Sequence, residues 1–382
     1  MIIHRLSSDI DMKSYLKNLG VDSGGIEILS KKSELFIIRI DELHVGAANI
    51  LKQDALSVGA DLAVPRGTVL AKTPTVNTLL IATRRQLEKL SKKELAQPFG
   101  LKELAHRLTD LLKSHSPKSV DVMGIVNAND DSFYSGSRFK SAQAVEHIES
   151  MIAHGASIID LGGVSSRPGS QKIEPSIELE RVREIIDAIY SERLYERAIF
   201  SIDSYEPLVV HYALDHGFKW VNDISSLSEV EVAKLSASYG ATVVLMHMQG
   251  TPQTMQDNPY YDSVIDEVEG FLKEKIEYAK SFGIRDIILD CGIGFGKRLE
   301  DNIELINHQK HFLSLGHRLL VGASRKSMIG AIDGSGISDR LGGTLAIHQK
   351  AIENGASIIR VHDVAEHVQM IKVLNALKAH SV

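Results

Sequence analysis

Residues 355–363 read Gly-Ala-Ser-Ile-Ile-Arg-Val-His-Asp, and residues 155–163 read Gly-Ala-Ser-Ile-Ile-Asp-Leu-Gly-Gly. In both, a glycine stops the amphipathic stretch before it, and an apolar, β-branched run follows that closes in polar residues. That is the pattern of a parallel strand buried on both faces. Six further runs of the same kind lie between and before these two, at Ser119–Asn127, Ala198–Ser204, Lys219–Ser225, Ala241–His247, Asp286–Gly292 and Arg318–Ser324. With Ser157–Gly163 and Ser357–Asp363 the strands number eight. Helical patterns separate them, among them Ser141–His154, Pro207–His216, Ser263–Phe282 and Asp339–Asn354, each followed by glycine: Gly155, Gly217, Gly283 and Gly355. Eight β-α units fit the roughly 250 residues of a (β/α)₈ TIM barrel. An open doubly wound sheet is the rival, but the count of eight and the phrase shared by units two and eight favour one closed ring.

The rhythm does not extend to the N-terminal third. There Leu35–Ile40 and Thr78–Ala82 read as strands, and Ala47–Val58 and Leu101–Lys113 as helices, which predicts a small α/β module. Ser-His-Ser-Pro-Lys-Ser at 114–119 reads as a linker. The expected division is a module over residues 1–117 and a barrel over residues 118–382.

Composition narrows the partners. The 382 residues carry 43 Lys+Arg against 49 Asp+Glu, a net charge of −6 with no cationic block, so neither nucleic acid nor an anionic membrane is expected. One cysteine, Cys291, excludes an internal disulfide and a cysteine-based zinc site, and suits a reducing compartment. No apolar run reaches the roughly 18 residues of a membrane span. The opening MIIHRLSSDIDMK puts acids where a secretory signal needs its apolar core. A cytoplasmic location is expected.

In a barrel of this kind chemistry sits at the C-terminal ends of the strands. Those ends carry Asn127, Asp160, Asp203, Asn222 with Asp223, His247, Asp290, Ser324-Arg325-Lys326, and Arg360 with His362 and Asp363. Strand-end Asp and Asn often only cap loops; Asp160 is expected only to orient a neighbouring loop, and His247 to be at most a wall residue. Arg325, Lys326, Arg360 and His362 on strands seven and eight suit a phosphate or pyrophosphate. Asp203, Asn222 and Asp290 suit the N-C-N edge of a flat heterocycle, since a carboxylate accepts two parallel hydrogen bonds. Gly292-Ile-Gly-Phe-Gly-Lys297 superficially matches a dinucleotide loop, but it follows a late strand with no acidic ribose partner. Phe295 in that loop is expected to pack on a ligand ring.

Together these residues resemble the dihydropteroate synthases of the pterin-binding barrel superfamily. The resemblance runs over about residues 120–375 and rests on the joint order of its phrases: Met123–Asn127 with Asp131-Ser132-Phe133; Gly155–Gly163 with Ser166-Arg167-Pro168-Gly169; Ser201–Ser204; Val221–Ile224; Met246–Pro252; Asp290–Lys297; Gly322–Ser327; and Arg360–Asp363. It implies condensation of 6-hydroxymethyl-7,8-dihydropterin pyrophosphate with p-aminobenzoate, inhibited by sulfonamides that imitate the arylamine. It assigns the pterin to Asp203, Asn222, Asp290 and Lys326, and the pyrophosphate to Arg360, His362, Arg167 and, through Mg²⁺, Asn127. The p-aminobenzoate falls to Ser166, Phe295 and Arg325, with Ser324 in the same binding loop. Asp131 and Phe133 on the first loop join Lys326 and Arg360 as catalytic candidates. It also implies a homodimer.

Two phrases depart from the family. Ser135 stands where the first loop usually has an aspartate, and Val164-Ser165-Ser166-Arg167-Pro168 replaces Glu-Ser-Thr-Arg-Pro. Two other readings are a pterin-dependent methyltransferase, which has no use for a pyrophosphate site, and an inactive pterin-binding paralogue with a regulatory role. The N-terminal module is expected to be a structural cap or dimerisation element ahead of a docking surface for another enzyme.

Overall fold

The computed structural model describes the chain except residues 1, 2, 5, 7–9, 114–118, 129–136, 166–168, 171, 172 and 380–382, and the side chains of 137–141, 378 and 379. The chain divides into two compact units, Met1–His115 with Val373–Val382, and Ser116–Lys372.

The first unit holds helices α1 (Met12–Asn18), α2 (Ser23–Ser33), α3 (Val45–Val58), α4 (Arg84–Glu94) and α5 (Leu101–Lys113), with strands β1 (Leu35–His44), β2 (Asp61–Ala63) and β3 (Thr75–Thr83). The strands form an antiparallel sheet of order β1-β3-β2. Antiparallel pairing explains why the β-α rhythm of the barrel does not extend here. Ala47, Leu51, Leu80, Leu87, Leu90, Leu101 and Leu108 build its own core.

The second unit is a closed barrel of eight parallel strands: β4 (Asp121–Asn127), β5 (Ile158–Gly162), β6 (Ile199–Asp203), β7 (Trp220–Asp223), β8 (Thr242–Met246), β9 (Ile287–Asp290), β10 (Arg318–Val321) and β11 (Ile358–Val361). Its helices are α6 (Ser137–Ala153), α7 (Pro175–Ser191), α8 (Pro207–Asp215), α9 (Val230–Tyr239), α10 (Val264–Ser281), α11 (Leu299–Asn307), α12 (Ser327–Asp333), α13 (Leu341–Glu353) and the first part of α14 (Val364–Ala379), whose residues from Val373 on belong to the first unit. The four glycines expected to stop helices all have positive φ: Gly155 (104°), Gly217 (86°), Gly283 (88°) and Gly355 (97°). Only glycine adopts that conformation without steric cost.

Strand register decides which residues enter the barrel. Met123, Ile158, Trp220, Val244, Ile288, Leu320 and Ile358 pack together as an interior layer. Side chains two positions further along share their face, so Asp160, Asn222, Met246, Asp290 and Arg360 lie above that layer. Asp203 follows by pairing with Asn222. The apolar layer closes the barrel below, and the polar layer opens at the C-terminal mouth.

Candidate active site

Arg360 on β11 joins the acids of the mouth. Its Nε donates to Asp160 Oδ2 and its Nη2 to Asp203 Oδ2, both at 2.6 Å. Asn222 Nδ2 donates to the same Asp160 oxygen at 2.9 Å. Asp160 has no exposed surface, so Arg360 and Asn222 rather than water meet its Oδ2, while its buried Oδ1 has no hydrogen-bond partner among the described residues. Asp160 thus holds the side chains of Arg360 and Asn222, not the neighbouring loop expected of it. Burial, with Asp160 nearby, pushes the Asp203 carboxyl up to about 7, against the pull of Arg360 and Lys326. Asp290 is also raised by burial, opposed by the Gly292 N–H and the cations Lys326, Lys297 and Arg360. Its Oδ1 accepts that N–H at 2.7 Å. Asp203, Asn222, Asp290, Lys326 and Arg360 thus share one electrostatic neighbourhood, although they come from five strands or strand ends.

Strand parity turns two other polar ends away. Asp223 Oδ1 accepts from Ser225 N at 2.7 Å and Oδ2 from Leu227 N at 2.7 Å, which secures a turn in which Ser226 and Leu227 have φ of 53° and 62°. Asp223 is a loop cap. His247 lies edge-on to Phe271 of α10 at 5.0 Å between ring centroids, as a wall residue.

The loop after β9 depends on a residue that residue-type reasoning passed over. Lys297 is buried, and its Nζ lies 2.9 Å from His247 Nδ1 and donates to the carbonyls of His247 (3.2 Å), Gly292 (3.0 Å) and Phe295 (3.0 Å). Burial lowers its ammonium to about 7 and holds the neighbouring imidazole neutral, lowered to about 3. A Cβ on Gly292 would run into the His247 carbonyl oxygen, and one on Gly296 into that of Gln249. The glycines serve close backbone approach, not a dinucleotide. Their result is the placement of Phe295, over whose ring Lys326 Nζ sits 4.0 Å from the centroid.

The loop after β10 carries Ser324, Arg325 and Lys326. Ser324 Oγ lies 2.9 Å from His362 Nδ1 and accepts the His362 backbone N–H at 3.3 Å. Arg325, at φ 55°, donates twice to Asp363, from Nε to Oδ2 at 3.0 Å and from Nη2 to Oδ1 at 2.5 Å. Asn127 closes β4 on the inward face, paired in register with Gly162. Asp131, Phe133, Ser166 and Arg167, with the departing Ser135 and the end of the second loop, lie outside the described residues.

The sequence profile described as pterin binding enzyme matches residues 123–362. The chain is 44% identical over 378 residues, 99% of each chain, to a bifunctional dihydropteroate synthase/dihydropteroate reductase of Helicobacter pylori. It is 43% identical over 258 residues to the dihydropteroate synthase of Escherichia coli, covering 67% of this chain and 90% of that one. The crystal structure of Xanthomonas albilineans dihydropteroate synthase with 4-aminobenzoic acid superposes with a TM-score of 0.64 at 36% identity, covering 69% of this chain and 94% of the other. The chain belongs to the pterin-binding enzymes, and within them to the dihydropteroate synthases.

Proposed function

We propose that the barrel, residues 118–382, condenses 6-hydroxymethyl-7,8-dihydropterin pyrophosphate with p-aminobenzoate, giving 7,8-dihydropteroate and pyrophosphate. The observation that carries this is the single polar layer in which Asp203, Asn222 and Asp290 adjoin Lys326 and Arg360. Asp203, Asn222 and Asp290 hold the pterin's donor edge, and Lys326 spans its ring and Phe295. Arg360, with Nη1 pointing to neither aspartate in the present pairing, and His362, oriented by Ser324, take the pyrophosphate together with Arg167. Ser166, Phe295 and Arg325 line the arylamine end, and Asp131 and Phe133 close the first loop over it. These groups neutralise the departing pyrophosphate, keep water from the carbon it leaves, and orient the amine for attack there.

No group of three or more His, Cys, Asp or Glu among the described residues is placed to hold a metal ion. The donor set suits Mg²⁺ only as a substrate-borne ion, which keeps phosphate and water oxygens and takes one or two from protein. Asn127 Oδ1 would hold it, and it would add positive charge at the leaving group. A homodimer in the cytoplasm completes the reading, supported by the family likeness, and by a charge balance and single buried thiol that fit a reducing interior. Among the described residues, no helix is long and apolar enough to cross a membrane.

Pyrophosphate release with both substrates and Mg²⁺, competed by a sulfonamide, tests the synthase. Absence of turnover in folded protein would favour the inactive paralogue. Asp290→Asn should weaken pterin binding by roughly 2–5 kcal/mol, because an amide matches at most one of two ring N–H groups.

A second activity follows from the N-terminal module, residues 1–117. The Helicobacter pylori match extends through it, whereas the Escherichia coli synthase covers only 67% of this chain. We infer that the full chain also reduces dihydropteroate, the product of the first reaction, in preference to the module being a cap. Reduced nicotinamide and reduced flavin offered in turn with 7,8-dihydropteroate test this. Persistence of the dihydropterin with both donors would return the module to a structural role.

A further inference from the structure

Behind the Ser324-Arg325-Lys326 loop lie two histidines without exposed surface, His348 on α13 and His367 on α14. The Ala323 backbone N–H donates to His348 Nε2 at 3.1 Å. His348 Nδ1 lies 2.9 Å from His367 Nε2, and His367 Nδ1 lies 2.5 Å from the Asp363 carbonyl oxygen. The two ends fix every proton between them. An amide N–H can only donate, so His348 Nε2 is bare and its Nδ1 carries the proton. That proton goes to a bare His367 Nε2, so His367 also carries its proton on Nδ1, facing a carbonyl that can only accept. Burial favours the neutral forms, lowering His367 and holding His348 well below the usual histidine range.

The chain of bonds closes on itself. Asp363, whose carbonyl ends it, also holds Arg325 through its carboxylate, and Arg325 is two residues from Ala323, where the chain begins. One turn before His348 on α13, Thr344 Oγ1 accepts the Arg325 N–H at 3.0 Å, so the helix grips two amides of one loop. Arg325 is held at φ 55°, a conformation that costs a non-glycine residue energy and persists only where its surroundings enforce it.

We propose that His348 and His367 are positioning residues for the synthase reaction: their ring with Ala323, Arg325 and Asp363 sets where the guanidinium of Arg325 meets the arylamine. Neither histidine touches substrate. The proposal rests on Arg325 serving the p-aminobenzoate end, and it predicts an effect on that substrate alone.

The test uses the full chain. His348→Phe keeps an aromatic of similar size and removes both bonds; the KM for p-aminobenzoate should rise roughly fivefold or more, with kcat and the KM for the pterin pyrophosphate little changed. His348→Gln, whose amide can accept from Ala323 and donate to His367, should restore most of the loss. In an Arg325→Ala background His348→Phe should add nothing further. Hydrogen exchange at the Ala323 amide should accelerate in His348→Phe, a readout that holds whatever the reaction is. Nitrogen-15 spectra of the unsubstituted protein should show both imidazoles as neutral Nδ1–H tautomers, which tests the ring even if a variant fails to fold. An Nε2–H tautomer in either ring, unchanged exchange at Ala323, or equal rises in KM for both substrates would overturn the proposal. Lack of turnover in the unsubstituted protein would instead strike the synthase reading, leaving the exchange and tautomer tests to decide the ring.

Discussion

On the β5–β7 side of the barrel mouth, one guanidinium, Arg360, joins two aspartates, the fully buried Asp160 and the largely buried Asp203. On the β9–β10 side, Lys297, Thr344 and His348 hold two loops mainly through backbone amides and carbonyls. The first side is built from charges that satisfy one another, so no member can be removed alone. The second is built from main chain, so it tolerates changed tips better than changed anchors or added Cβ atoms.

The sharpest way to break the first side is Asp160→Ala. It leaves Arg360 with one carboxylate and the Asn222 amide without its acceptor, and cutting one partner out of a buried ion pair costs about 3–5 kcal/mol. Urea unfolding followed through Trp220, the only tryptophan and part of the barrel's interior layer, reads this directly. Condensation should be lost in whatever protein folds. A destabilisation under about 1 kcal/mol would show that water, not Asp160, carries the Arg360 charge.

Gly292→Ala tests the second side at its tightest point. The added methyl meets the His247 carbonyl oxygen and must also sit at φ 68°. The cost expected is about 2–4 kcal/mol, because neither backbone segment is free to yield. Gly334, at φ 77° with open space around its Cβ position, provides the control: Gly334→Ala carries the conformational cost of about 1–2 kcal/mol without a clash.

Lys297→Met should cost less, about 1–3 kcal/mol, since a flexible apolar chain fills the volume but takes the ammonium donor from three carbonyls, of which that of Gly292 keeps the Phe295 N–H. Its functional mark is selective. Phe295 loses its anchor while Asp203 and Asn222 keep theirs, so the KM for p-aminobenzoate should rise several-fold with pterin affinity largely kept. Equal losses for both ligands would mean that the two sides are mechanically one.

The barrel was legible because its signal repeats. Every expected barrel strand is present, but each is trimmed at one or both ends: Lys219–Ser225 becomes Trp220–Asp223, because Ser225 and its neighbours turn to meet the Asp223 carboxylate. In the module, β2 has three residues and α4 reads Arg-Arg-Gln-Leu-Glu-Lys-Leu-Ser-Lys-Lys-Glu, where two buried leucines give little periodicity to detect. At the site, residue type named Asp160, Asp203 and Asp223 alike, and only strand alternation separates the two that enter the barrel from the one that caps a loop. The ring through His348 and His367 left no local trace, since its members lie on two helices and two strand ends and meet only after folding.

The last test carries the comparison into the N-terminal module, where two acids meet without a guanidinium between them. Asp54 on α3 is paired with Lys93 at 2.8 Å and receives Gln97 Nε2 at 3.0 Å. Glu94, at the end of α4, has no exposed surface, and neither of its carboxylate oxygens meets a hydrogen-bond partner among the described residues. Burial, then the nearby Asp54 charge, push its carboxyl from an ordinary 4.5 up to about 7. Below pH 4.5 the acid is protonated both folded and unfolded, and the module keeps its full stability. Between about 4.5 and 7 the unfolded chain gives up the proton while the folded module retains it, so stability falls as pH rises, and it levels off above 7. Glu94→Gln cannot ionise and still offers N–H groups toward Asp54. It should therefore raise the module's unfolding midpoint at pH 8 by an amount equivalent to about 1–2 kcal/mol, with little gain near pH 4.5. Amide exchange in α3 and α4 at the two pH values isolates the module from the barrel, and synthase turnover should be unchanged. An equal gain at both pH values would show that Glu94 acts through packing, and that an unpartnered acid costs this module nothing.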